Sequence, residues 1–306
     1  MSSAESMEYS RGIIGKNIAQ KAKKGQSLPT AISGLTLYNR ICVSQPATAL
    51  YQPSICLVVQ GAKRVMLGED SYVYDANHYL ITSVDIPTMV QIVQASEAKP
   101  CLGIVLQLDL REISQLMVDG NLPHPRAHQP ERGMALGRVD LPLLDAFGRL
   151  VSLLDCPGDI PILAPVIKRE IFYRLLTGEQ GARLRQIASM GSQGHQISQA
   201  IDWLKNNYSK PLRVDDLAHR VYMGTSTFNH HFRAMTAKSP LQYQKWLRLN
   251  EARRLMLAER CDAASAAFQV GYESQSQFSR EYGRLFGEPP LRDMAKLRQE
   301  ANALAV

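Results

Sequence analysis

The spacing of apolar residues changes once along this chain, and the change separates two kinds of architecture. From Leu35 to Asp109 apolar side chains come in short runs, LTLYNRICV, SICLVVQG, KRVMLG, SYVYD, HYLITSVD, MVQIVQA and CLGIVLQLD. Most alternate with a two-residue period and are divided by Gly, Pro, Asp or Asn, which predicts strands. Closely spaced strands without intervening helices make an antiparallel sandwich or barrel. KRVMLGEDSYVYD, turning at Gly68, Glu69 and Asp70, reads as a hairpin.

Beyond the Pro- and His-rich NLPHPRAHQP the period becomes helical. In VDLPLLDAFGRLVSLLD, residues Leu143, Leu144, Phe147, Leu150, Val151 and Leu154 form one apolar stripe. It must pack either on its own barrel or on a second subunit. A second helix is expected after Pro165, through VIKREIFYRLL to a stop at Gly178. GEQGARLRQIASMGSQGHQ, rich in Gly, Ser and Gln, is the expected junction between domains. After His195 all segments read helical, and a short helix, a turn and a second helix occur twice. VDDLAHRV with TSTFNHHFRAMT is one copy, and DAASAAFQV with ESQSQFSREYGRLFG is the other. The long SPLQYQKWLRLNEARRLMLAE joins them.

Charge sharpens this division. The chain of 306 residues carries a formal +7, and from His195 onward sixteen Lys and Arg face eleven Asp and Glu, against nineteen and seventeen before it. The basic part is the helical one, as a polyanionic partner requires. Five cysteines, an odd set without CxxC spacing, indicate neither a disulfide framework nor a zinc knuckle, and a reducing cytosol is the simple inference. The first thirty residues hold Lys21, Lys23 and Lys24 but no apolar core of a signal peptide. No run of about eighteen apolar residues spans a membrane.

In the repeated motif one helical face is apolar: Phe228, Phe232 and Met235 in the first copy, Phe278, Tyr282, Leu285 and Phe286 in the second. The opposite faces carry Ser226, Asn229, His230 and Arg233, and then Gln275, Ser276, Ser279, Arg280 and Arg284. Asn and Gln pair with adenine and Arg with guanine in the major groove, while further Arg and Lys contact phosphates. Such faces serve equally as solvated surface; two copies on one long helix are the more telling feature. At 1.5 Å per residue that helix spans roughly 27 Å, approaching the ~34 Å between successive major-groove faces.

The C-terminal third resembles the AraC/XylS family of transcription regulators, on VDDLAHRV, FNHHFRAMT, SPLQYQKWLRLNEARRLML, AAFQVGYESQSQFSREYGRLFG and the closing PP. The resemblance implies two helix-turn-helix units whose second helices enter adjacent major grooves. It places base-reading roles on Ser226, Asn229 and His230, and on Gln275, Ser276, Ser279 and Arg280. The chain departs from the family pattern where Tyr222 replaces a turn glycine, where Gly224 replaces a Ser cap, at His230 for a frequent Arg, and at Gly283 for a basic residue. The second unit is the better preserved.

ALYQPSICLVVQGAKRVMLGEDSYVYDANHYLITSVDIP and LAPVIKREIFYRLLTGEQGARLRQIA resemble the cupin-like amino-terminal domain of one AraC subgroup, which implies a small barrel that holds a ligand. A cupin enzyme carrying an accessory DNA-binding module is the rival, and a structural nucleoid protein is a third class. Metal cupins need several converging His and a Glu, yet between Leu50 and Val93 only His78 occurs. His124 and His128 sit among prolines and read as loop residues. Cys42, Cys56 and Cys101 fall in predicted strands without an adjacent cation in sequence, so they read as small apolar side chains before redox or electrophile sensors.

The expectation is therefore an α+β multidomain chain. Residues 1–27 form a tail, 28–134 a cupin-like effector-binding barrel, 135–192 a helical connector that supports dimerisation, and 193–306 an all-α double helix-turn-helix domain. The expected function is sequence-specific transcription regulation, without catalysis, metal or cofactor. The expected partners are double-stranded promoter DNA, a small-molecule effector, a second copy of the chain and, for an activator, RNA polymerase.

Overall fold

The computed structural model describes residues 3–123, 132–189 and 191–303. The chain divides into two compact units, Met1–Ser198 with Ala234–Ala237, and Gln199–Arg233 with Lys238–Val306.

The first unit is built on two antiparallel sheets. Helix α1 (Ser3–Lys21) precedes β1 (Ser27–Pro29), β2 (Leu35–Arg40), β3 (Ala47–Tyr51), β4 (Ser54–Gln60), β5 (Ala62–Leu67), β6 (Asp70–Tyr74), β7 (His78–Thr82), β8 (Ile86–Gln94) and β9 (Cys101–Gln107). Helix α2 (Leu110–Asp119), β10 (Met134–Arg138), α3 (Leu141–Ser152), α4 (Ile160–Thr177) and α5 (Gly181–Ala188) follow. One sheet has the order β1-β2-β9-β4-β7-β10 and the other β3-β8-β5-β6. The expected barrel is thus a cupin-like sandwich of two sheets. The chain crosses between them at Gly61, whose φ of 84° and close approach to the Gln94 carbonyl and the Cys101 Cα leave no room for a side chain. The β5–β6 hairpin turns through Gly68 and Glu69, with Leu67 opposite Asp70.

The larger sheet is covered on both faces. Leu35, Leu37, Ile55, Leu57, Ile81, Leu102, Ile104 and Leu106 join one core with Ile14, Ile113, Phe147, Ile171, Phe172 and Leu184 from the helices. Alternation turns Tyr38, Cys56 and Cys101 of the same strands the other way, towards the second sheet. The α3 stripe is settled by this core: Leu143, Leu144, Phe147, Leu150 and Val151 are buried within their own unit, and Leu154 is half-buried against it.

Several boundaries differ from expectation. The segment expected as a tail holds α1, which buries Ile14 and Ile18, with Ala22 buried just after it, and is tethered by Ser10 Oγ to Asp145 (3.0 Å), Asn17 Nδ2 to Ser152 Oγ (3.2 Å) and a Lys21–Asp155 ion pair. Its apolar stripe is interrupted by Gly12, Gly15 and Lys16, which hides the helical period. Strand β10 closes at Arg138, past the barrel boundary expected at 134. Helix α4 begins at Ile160 rather than after Pro165 because Pro161 suits a first turn, where its missing N–H has no helical partner to lose. Helix α2 was not expected; Asp109 caps it by accepting from the Arg111 and Glu112 amides at 2.9 and 3.2 Å.

The second unit is helical. Helix α6 (Gln193–Asn207) leads into it, followed by α7 (Val214–Arg220), α8 (Thr225–Thr236), α9 (Pro240–Ala258), α10 (Ala263–Gln269), α11 (Gln275–Phe286) and α12 (Pro290–Ala303). Among the described residues no single helix is long and apolar enough to cross a membrane.

Candidate functional site

The two helix-turn-helix units, α7–α8 and α10–α11, close their first helices in the same way. In the first, the Tyr222 amide donates to the His219 carbonyl and the Met223 amide to Ala218, both at 3.0 Å. In the second, the Gly271 amide donates to Phe268 (3.0 Å) and the Tyr272 amide to Ala267 (2.9 Å). This is a Schellman closure, which puts one residue in the left-handed region. Tyr222 and Gly271 fill that place at φ 58° and 92°. The turn then buries Met223 or Tyr272 and releases the chain into the second helix.

Helix α8 begins after Gly224, which offers no side-chain acceptor; Thr225 Oγ1 instead donates to Asp215 at 2.8 Å. Ser274 caps α11 by accepting from the Gln277 amide at 3.3 Å. The buried faces are those expected: Phe228, Phe232 and Met235 in α8, Phe278 and Tyr282 in α11, with Leu285 and Phe286 half-buried. Opposite them Ser226, His230 and Arg233 are exposed and Asn229 is half-buried, its Nδ2 donating to the Thr225 carbonyl at 3.0 Å. On α11, Gln275, Ser276, Arg280 and Arg284 are exposed and Ser279 is half-buried. Arg280 Nε lies 3.3 Å from the Ser276 carbonyl, which lays its side chain back along the helix.

Helix α9 positions both units. Ser239 and Gln242 form a reciprocal capping box at its start, and its nineteen residues span about 28 Å. Arg248 donates to the carbonyls of Tyr208 (2.7 Å), Lys210 (3.0 Å) and Gly271 (2.9 Å), and so ties the end of α6 to the α10–α11 turn. Gln244 adds bonds to Tyr208 and Lys210 at 2.9 and 2.7 Å. Helix α11 is fixed by two acidic anchors. Asp293 takes both forks of Arg253 at 2.7 and 2.8 Å and the Tyr282 hydroxyl at 2.6 Å. Glu281 accepts from Lys245 (2.7 Å), Tyr272 (2.7 Å) and Gln277 (3.1 Å). Burial pushes the Glu281 carboxyl up, but the bonds from Lys245, Tyr272 and Gln277 outweigh it and hold it below its ordinary range. The result is a rigid pair of helices whose polar faces are free of the core.

Between the sheets of the first unit lies a second concentration of chemistry. Lys63 of β5 is 7% exposed, with its ammonium 4.5 Å from the centre of the Tyr38 ring. Sequence reasoning passed over it, although it shares the inward parity of Val65 and Leu67 in KRVMLG. Cys56 and Cys101 are buried here, and burial pushes the Cys56 thiol up and that of Cys101 to about 11. Neither is a thiolate near neutrality, against a redox-sensing role. Cys42, expected in a strand, lies exposed beyond the end of β2. Among the described residues no group of three or more His, Cys, Asp or Glu converges to hold a metal ion; His124 and His128 lie outside the described residues.

Comparison with known proteins agrees with both halves. Residues 31–183 match the model of the AraC-type transcriptional regulator N-terminus, and residues 217–295 that of a helix-turn-helix domain. The transcriptional regulator ArgR of Pseudomonas aeruginosa is 25% identical over 49% of this chain and 45% of its own length. The transcriptional activator RhaS of Pectobacterium carotovorum is 30% identical over 38% of this chain and 42% of its own. The chain thus spans less than half the length of either relative. ToxT of Vibrio cholerae, solved with an unsaturated fatty acid bound, shares the fold with a TM-score of 0.54 at 12% identity, covering 85% of this chain and 94% of its own. Since the first family model alone covers half of the chain and the second follows it in order, the protein belongs to the AraC family of DNA-binding transcriptional regulators.

Proposed function

We propose that α8 and α11 read two successive major-groove segments of one promoter. Ser226, Asn229 and His230 then address base edges in the first and Gln275, Ser276, Ser279 and Arg280 in the second, while Arg233 and Arg284 hold phosphates. The observation that carries this reading is the duplicated Schellman turn followed by a helix with its aromatic side buried and its amide, hydroxyl and guanidinium side exposed. Footprinting on genomic DNA tests it: two protected segments one helical turn apart on one face are expected. Uniform coating of any duplex overturns it in favour of a nucleoid protein.

The regulator acts in the cytoplasm as a homodimer, and its N-terminal sandwich receives a small-molecule effector. Helix α4 supports the dimer. It buries Ile167, Ile171, Phe172 and Leu175 in its own core, yet leaves Ile162 (72%) and Val166 (62%) exposed on the other side, with Leu163 and Tyr173 nearby. Effector and second subunit act on DNA occupancy through differential affinity for two arrangements of the chain. As an activator the protein would also engage RNA polymerase.

A further inference from the structure

Arg248, half-buried near the middle of α9, is a branch point between the two helix-turn-helix units. Its Nε donates to the Tyr208 carbonyl (2.7 Å) and its Nη2 to those of Ser209 (3.3 Å) and Lys210 (3.0 Å), in the loop that leads into α7. Its Nη1 donates to the Gly271 carbonyl (2.9 Å), in the turn between α10 and α11. A guanidinium has five N–H groups, and these bonds use four of them. What remains is too little for the forked grip by which an arginine holds a phosphate.

Other contacts close on the same place. Gln244, one turn earlier on α9, donates to the Tyr208 and Lys210 carbonyls, and the Tyr208 ring packs against the core of the second helix-turn-helix unit. The α10–α11 turn is pressed onto the loop: a Cβ at Gly271 would lie 2.1 Å from the Ser209 carbonyl oxygen and 3.1 Å from Arg248 Cζ. The corresponding place in the first unit is bare, since Tyr222 is exposed. From Gly271 the linkage runs on to α11, because the next residue, Tyr272, donates its hydroxyl to Glu281 at 2.7 Å.

These contacts supply something that α9 alone does not. The first unit meets α9 near its start, where Phe232 and Tyr243 stack edge to face. The second meets it near its end, where Leu249, Ala252, Leu255 and Met256 join the α10–α11 core. Two bodies held at opposite ends of one helix keep their distance but follow any curvature of it, and long helices curve. A third tie, from the loop before α7 to the turn before α11, closes a triangle that fixes their relative twist as well. We propose that Arg248 is a positioning residue for DNA recognition: by holding α11 in phase with α8, it makes affinity depend on the number of base pairs between the two segments read. This rests on the reading that both helices engage one duplex.

A duplex carrying the site recovered by footprinting, and a second with one base pair inserted between its two protected segments, test this with the full chain in fluorescence anisotropy. The insertion moves the second segment by roughly 3.4 Å along the duplex and about 35° around it. The parent chain is expected to lose at least about a hundredfold in affinity on the insertion, the equivalent of two or more mismatched pairs. Arg248→Met is expected to bind the original site up to about tenfold more weakly, through lost pre-organisation, and then to lose less than about tenfold on the insertion. Arg248→Lys keeps the charge without the fork and is expected to follow Arg248→Met, with the parent's salt dependence in both. A role in stability alone would lower affinity on both duplexes by the same factor. A phosphate contact would be rescued by lysine, and its loss would flatten the salt dependence. Either pattern overturns the proposal. Should Arg248→Met not fold, Gln244→Met, which removes the neighbouring pair of bonds, is expected to show the same loss of spacing selectivity, and full selectivity there overturns it too. An Arg248→Met chain as sensitive to the insertion as the parent removes the positioning role and leaves the two-segment reading, whereas a parent chain indifferent to the insertion removes both.

Discussion

Tyr222 and Gly271 occupy the same place in the two helix-turn-helix units, each closing its first helix in the left-handed region, and only one of them is glycine. Tyr222 is 90% exposed, so its ring gains almost no packing in return for the strain. Tyr222→Gly is expected to stabilise the folded chain by about 1 kcal/mol, offset in part by the greater freedom of glycine when unfolded. Urea unfolding followed by circular dichroism measures it. At Gly271 a side chain would collide with the Ser209 carbonyl, so Gly271→Ala is expected to destabilise by more than about 1 kcal/mol in the same assay.

Base reading and phosphate holding separate by salt and sequence. Gln275→Ala and Arg280→Ala are each expected to lose about 1–3 kcal/mol at the preferred base pair and to relax specificity there. Arg284→Ala is expected to weaken specific and random DNA alike and to flatten the salt dependence. Titrations of matched and scrambled duplexes at several salt concentrations distinguish the patterns, and equal losses on both duplexes for Gln275 and Arg280 would refute their roles.

Glu281 gives the second unit an acid-sensitive joint. Its folded pKa lies below the ordinary 4.5, so the stability it contributes is full above that value and is lost as pH falls through the lower folded value. Melting temperatures from pH 7 down to pH 3 are expected to fall more steeply in the parent chain than in Glu281→Gln. Parallel curves would show that the anchor carries no net ionisation energy.

Dimer formation through α4 predicts that Val166→Glu shifts the chain towards monomer in sedimentation while leaving the melting temperature of the fold nearly unchanged. That residue is exposed, and the burial of Ile167 and Ile171 on the inner side is untouched.

Helix α1 is part of the core, so Ile18→Ala is expected to destabilise by about 2–5 kcal/mol, as for other fully buried large-to-small changes. Chemical denaturation checks it, and a loss below 1 kcal/mol would mean that the helix is only loosely docked.

How much of this was legible in the sequence follows from which signals are local. Strand alternation and the 3.6 period of α3, α8 and α11 are local, and the strained turn at Tyr222 and the missing cap at Gly224 were readable from single residues. Helix α1 was not, since three small or apolar residues spaced by lysine and glycine identify a buried face only once the sheet beneath them exists. Whether the α3 stripe met a barrel or a second subunit was equally undecidable, because both are apolar. The Lys63 cluster needed several strands brought together, and nothing short in range links Tyr38 to Lys63.

The larger sheet acts as a shared wall. Cys56 lines the space between the sheets while its neighbour Leu57 lies in the helical core, and Cys101 and Leu102 repeat that opposition on β9. Any adjustment that makes room beside Lys63 must therefore displace side chains lodged among α1, α3 and α4, the last of which bears the uncovered apolar flank. An occupant of that space would thus act on the helical core across one backbone thickness.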